Sequence, residues 1–188
     1  MIEWLVLLIA GSVFVLSAWQ LGKWWYAGQV SDRVTKKLVA EAVEIRQDAE
    51  KNASDPGIQS ESPETAGDIA AGEALPIIVD FEALQKINPD IVAWIYSPDT
   101  VINYPIVQGT DNAYYLHRLV NGQKNANGTL FMDCANSGKL AGENTIIYGH
   151  HMKNGSMFAS LEKYKKQAYY EEHPVLYLLT PETAYRLV

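Results

Sequence analysis

The residues best equipped for chemistry lie in one stretch, NTIIYGHHMKNGSMF, from Asn144 to Phe158. A β-type apolar run, Thr145-Ile146-Ile147-Tyr148, leads into Gly149 and then His150. A histidine at the end of a strand is held by its backbone, while the following loop leaves one ring face open. An imidazole changes charge near neutral pH, so proton transfer is the chemistry such a residue offers. Gly149 permits close approach of another segment or an unusual backbone angle. The plainer alternative for His150 is a structural histidine hydrogen-bonded at a strand end. A catalytic histidine needs a nucleophile, and no cysteine follows it; the single cysteine, Cys134, lies upstream. The pair His150-His151 lacks the companion ligands a metal would need, either at i+4 on a helix or converging from elsewhere, and His117 and His173 lack them as well. No metal or cofactor is therefore expected. No serine and acid partner for a histidine-based hydrolase is identifiable either.

These residues need a scaffold, and the chain of 188 residues, 48% apolar, can supply one domain with additions. Its net charge of −7 argues against nucleic acid as a partner, because phosphate binding requires a basic surface. One cysteine excludes an internal disulfide framework. The N-terminus is different in kind. Trp4 to Leu21 is an uncharged apolar run of the length a membrane-spanning helix requires, with Trp4 at one end and Trp24, Trp25 and Tyr26 at the other as aromatic belts. A cleaved signal peptide, the rival reading, calls for a basic leader and a small-x-small site, and neither is evident. The first 26 residues thus read as an anchor. Only Glu3 precedes the span, whereas Lys23, Arg33, Lys36 and Lys37 follow it, a charge distribution that places the following domain in the cytoplasm.

From Val30 to about Asn52 the spacing of Val34, Leu38, Ala42 and Ile45 predicts a juxtamembrane helix. Ala53 to Leu75 is rich in Ala, Ser, Gly, Pro and acids, too polar to offset its own conformational entropy. It reads as a tether holding a domain away from the membrane, so residues 27–75 form a connector and 76–188 the domain. Asp80 can cap a helix over Phe81–Ile87 that closes at Asn88-Pro89. Strands are predicted over Ile91–Tyr96, Val101–Val107, Gly128–Asp133, Asn144–Tyr148, Val175–Thr180 and Thr183–Val188, separated by turn signals of which Ser97-Pro98-Asp99-Thr100 is a hairpin turn. Short helical pieces are predicted over Asn112–His117, Ser156–Tyr164 and Lys166–Glu172. The fold class is mainly β, an incomplete barrel with short helices. Thr183–Val188, the last strand, is expected to leave an unpaired edge and an open core, as in a fragment.

The run NPDIVAWIYSPDTVINYPIVQGTDNAYYLH, then GTLFMD, then NTIIYGHHMKNGSMFASLEKY resembles the class B sortases of Gram-positive bacteria in motif and order, over Asp80 to Val188. The resemblance implies a membrane-anchored cysteine transpeptidase acting outside the cell, against the direction of the flanking charges. Such an enzyme cleaves a sorting signal at a Thr-Gly-type bond, forms a thioacyl intermediate, and passes it to an amine of the cell-wall precursor. His150 matches the family's histidine, which protonates the leaving amine. The family's cysteine and arginine lie further downstream than these residues reach, so residues 1–188 alone are expected to be inactive. Cys134, in FMDCANS, matches no catalytic position and is expected to be a half-buried small side chain. Asn112 and Leu116, one helical turn apart, match the helix lining the sorting-signal groove, and Tyr148 borders it; a helix cap followed by core packing accounts for Asn112 and Leu116 equally well. A non-catalytic, membrane-tethered module that binds a peptide or partner is the alternative function.

Overall fold

The computed structural model describes residues 2–45, 67–68, 75–136, 140 and 144–188. The apolar N-terminal run and the predicted juxtamembrane helix form one continuous helix, α1 (Ile2–Ala42). At 1.5 Å per residue its 41 residues extend about 60 Å. Its two halves meet different surroundings. The apolar side chains from Val6 to Tyr26 lie open, with Phe14 74% exposed, whereas Ser31, Leu38 and Ala42 are buried against the domain. Among the described residues α1 is the one helix long and apolar enough to cross a membrane.

The helix ends at Ala42, earlier than the periodicity predicts. Residues Val43–Ile45 leave it as strand β1, which pairs antiparallel with β3 (Ile77–Val79), Ile45 opposite Ile77. The rest of the predicted helix, residues 46–52, lies outside the described residues. β-Pairing to a distant strand overrides the helical spacing of Ile45, a non-local effect that local pattern does not carry. The expected tether, residues 53–75, lies mostly outside the described residues; β1 before it and β3 after it are paired strands, and α1 packs on the domain through Leu38 and Ala42.

The cap and helix predicted after it are present as α2 (Phe81–Ile87), with the Asp80 carboxylate accepting from the Ala83 amide at 2.9 Å. A seven-stranded sheet follows in the order β2-β9-β8-β4-β5-β6-β7. Its members are β2 (Gly67–Asp68), β4 (Ile91–Tyr96), β5 (Asn103–Val107), β6 (Leu130–Met132), β7 (Ile147–Tyr148), β8 (Leu176–Leu179) and β9 (Ala184–Leu187). All neighbours run antiparallel except β5 and β6, which are parallel. The sheet is curled and open, a partial barrel. One correction concerns its edge. β9 does not end unpaired, because β2, from the polar connector, adds along it with Gly67 opposite Arg186 and Asp68 opposite Tyr185.

Both faces of the sheet are covered, and side-chain alternation explains how. On β4, Trp94 and Tyr96 join Leu38, Leu84 and Tyr115 on one face, whereas Ala93 and Ile95 join Leu130, Met132 and Met157 on the other. Trp94 is fully buried and its indole N–H donates to Asn103 at 2.7 Å. The Ser97–Thr100 hairpin joins β4 to β5, with Asp99 at φ 55. Tyr115–His117 and Phe158–Lys165 form 3₁₀ turns, and α3 (Gln167–Glu172) precedes β8.

Candidate active site

His150 stands just beyond β7, whose pairing with β6 sets Tyr148 opposite Phe131 and Ile147 opposite Met132. Gly149 is required by packing. A Cβ there would collide with Leu130 and lie 2.6 Å from the Phe158 ring. The strand therefore passes hard against the domain, and the next residue swings out half-buried.

The His150 ring is held by a main-chain group: Nε2 lies 2.9 Å from the Leu116 carbonyl. A carbonyl only accepts, so Nε2 carries the proton, and in the neutral ring Nδ1 is the basic nitrogen. That carbonyl belongs to the 3₁₀ turn Tyr115–His117, which is fixed from two sides. Gly128, at φ 61, lets its strand approach so closely that a Cβ would sit 2.7 Å from the Tyr115 carbonyl oxygen, and the Thr129 amide donates to that oxygen at 3.0 Å. From the other side the buried Tyr115 hydroxyl donates to Asp90 at 2.6 Å and accepts from Asn88 at 2.8 Å. Burial, then the bond to Asp90, pushes the Tyr115 phenol up to about 12, which keeps it neutral.

Beside this lies a polar wall. The Asp133 carboxylate accepts from the Tyr148 hydroxyl at 2.8 Å, the Asn112 amide at 2.9 Å and the Ala135 amide at 2.8 Å. These bonds, led by the Ala135 amide, hold Asp133 below the usual carboxylate range, and the bond to Asp133 raises the Tyr148 phenol. Phe131 stacks on Tyr148 with ring centroids 5.1 Å apart. The four predicted residues thus come together in two pairs. Asn112 and Tyr148 share Asp133, while Leu116 meets His150 through its carbonyl, its side chain packing on the core. The shared helical face expected for Asn112 and Leu116 is absent, because only Tyr115–His117 is helical and as a 3₁₀ turn.

Cys134 differs from expectation in burial. It is exposed on the loop after β6, where its amide donates to Asn112 at 2.8 Å, and its thiol makes no hydrogen bond with His150. His151 turns away to Glu162, 3.2 Å distant, and the His173 ring lies against Tyr169. Among the described residues no three His, Cys, Asp or Glu side chains gather as a metal site. Asp133, Tyr115 and Gly128 were not singled out as site residues by sequence.

No family model matches the chain. Individual relatives do. The Sortase B of Listeria monocytogenes is 36% identical over 170 residues, 90% of this chain and 60% of that protein. The chain belongs to the class B sortases. Solved sortases agree: the sortase B of Bacillus anthracis in complex with AAEK1 superposes with a TM-score of 0.62 at 34% identity, over 87% of this chain and 66% of that one. A Staphylococcus aureus sortase B–substrate complex gives 0.55 at 42% identity, over 57% of this chain and 50% of that one. The sortase likeness is thus to part of those proteins, since the chain spans 60% of the length of the Listeria relative.

Proposed function

We propose that this sequence forms the histidine-bearing part of a sortase-type cysteine transpeptidase site. The observation that carries the proposal is the His150 ring, pinned through Nε2–H to the Leu116 carbonyl so that Nδ1 is left to take and return a proton. In the full reaction a thiolate attacks the carbonyl carbon of a Thr-Gly-type bond and the C–N bond breaks. Protonated His150 supplies the proton to the departing amine, and an acceptor amine of the cell-wall precursor then displaces the sulfur. Asn112, Leu116 and Tyr148 border the peptide. The nucleophile and an arginine that steadies the acyl oxygen come from strands outside residues 1–188, so these residues alone do not cleave. The substrate-bound Staphylococcus relative supports a peptide ligand. Residues 1–26 anchor the protein as a single span, which the apolar length of α1 and its aromatic collar support; the domain's placement outside the cell rests on the sortase likeness alone, against the charges that flank the span.

A peptide-cleavage assay tests this reading. The complete product of the gene should cut a Thr-Gly-containing sorting peptide in a thiol-dependent way, and His150→Ala should lower the rate at least a hundredfold. Residues 1–188 should bind without cutting. Cleavage by residues 1–188, or indifference to His150→Ala, would overturn it; binding without cleavage by the complete product would favour the non-catalytic module.

A further inference from the structure

Beyond His150 an open cleft of about 720 Å³ runs past Tyr114, His117, Arg118, Lys124 and Asn125. Its position is set by α1. The Asn125 side-chain amide donates to the Ala27 carbonyl at 2.9 Å, and the Asn127 amide lies 4.0 Å from where a side chain at Gly28 would start. Ala27 follows Trp24, Trp25 and Tyr26 directly, and all three aromatic residues are exposed. With a rise of 1.5 Å per residue, the docking point sits within a few ångströms of the collar that lies at headgroup depth in a spanning helix.

The charges in this place are unusual. Arg118 and Lys124 are bridge partners across a tight turn, so two cations stand opposite one another, an arrangement that costs stability unless an anion lies between them. Among the described residues neither forms an ion pair with a carboxylate. Arg118 is oriented by a bond to the Gly122 carbonyl at 2.9 Å and by stacking over the Tyr114 ring at 4.6 Å. The acid in the cleft, Asp111, is engaged by the Ala113 and Tyr114 amides. A protein of net charge −7 is repelled as a whole by an anionic surface, so attraction there must be local.

We propose that the Arg118–Lys124 turn is a cradle for the phosphate headgroup of an anionic phospholipid in the bilayer that α1 crosses, fixing the His150 side of the domain against the membrane. The proposal rests on the membrane-span reading of α1. A free phosphate would satisfy the same cations, but the adjoining aromatic collar favours a lipid.

The full chain, extracted in neutral detergent, can be examined by native mass spectrometry with phosphatidylglycerol or phosphatidylcholine added. The wild type should retain phosphatidylglycerol preferentially. Arg118→Gln with Lys124→Gln should lower that retention roughly tenfold or more, since each cation near a surface contributes a comparable share. Lys124→Gln alone, at an exposed side chain, should lower it several-fold and guards against misfolding. A control, Lys86→Gln with Lys165→Gln, should change nothing. Undiminished retention in the double variant would overturn the cradle, as would displacement of the lipid by millimolar inorganic phosphate. Release of the wild type from membranes by an alkaline wash would instead overturn the span, and the cradle with it.

Discussion

The two pairs of site residues are held in opposite ways. His150 rests on a main-chain carbonyl whose turn is clamped by Gly128 and by the buried Tyr115, itself bonded to Asn88 and Asp90. Asn112 and Tyr148 rest on one another through Asp133, with the carboxylate and both partners in solvent. A buried, fully partnered network is costly to disturb, whereas exposed bonds exchange readily with water. The difference fits the two tasks proposed for these residues. A proton carrier loses rate when it drifts by an ångström, and a wall for a variable peptide gains from being able to adjust.

Gly128→Ala is the strongest way to break this comparison. The new methyl must adopt the left-handed backbone, which costs roughly 1–2 kcal/mol. It must also displace the Tyr115 and Leu116 carbonyls, an overpacking effect of roughly 1–3 kcal/mol. Thermal unfolding should show a loss of that combined size, and the His150 ring resonances should shift because their carbonyl partner has moved. Unchanged resonances alongside a folded variant would mean that the turn does not position the histidine.

Tyr115→Phe is the next largest. It leaves Asp90 and Asn88 short of a partner in a buried place, a loss of about 1–2 kcal/mol. Its pH signature is more specific. The folded phenol is raised to about 12 from an ordinary 10.0, so its stabilising contribution is complete below pH 10 and is lost as pH rises toward 12. Wild-type unfolding curves should steepen across that window, and Tyr115→Phe should remove that part of the steepening. An identical alkaline profile in both proteins would place the titration elsewhere.

Much of the scaffold around these networks was legible from local signals. The Asp80 cap, α2 and the β4 limits follow from neighbours in sequence, and the structure reproduces all three. β1 and β2 were not legible, because their pairing partners lie 34 and about 118 residues away, and a three-residue strand contradicts the helical spacing around it. The same reason hid Asp133. Nothing in FMDCANS says that its carboxylate will bridge Asn112 and Tyr148, which are joined only when β6 and β7 pair. Cys134 was misjudged for want of the same information, since its burial depends on which side chains the loop meets. Continuity of α1 was equally hidden: the break suggested by the change from apolar to charged residues is a change of surroundings, not of backbone.

Asp133→Asn should have the smallest effect on stability and the most selective one on function. The substitution keeps the shape but sets an amide against the Asn112 amide, and it weakens the bond and removes the charge that together raise the Tyr148 phenol. Spectroscopic titration should therefore show the Tyr148 hydroxyl ionising at lower pH than in the wild type. The carboxylate's own contribution, present above the ordinary aspartate range and lost as pH falls through its lowered folded value, should vanish from the acid limb of the stability curve. Binding of a sorting peptide to residues 1–188 should weaken roughly fivefold, the scale of one hydrogen bond. The His150 resonances should stay where they are. If they move as far as in Gly128→Ala, the histidine and the peptide wall are one coupled unit, and the contrast between them fails.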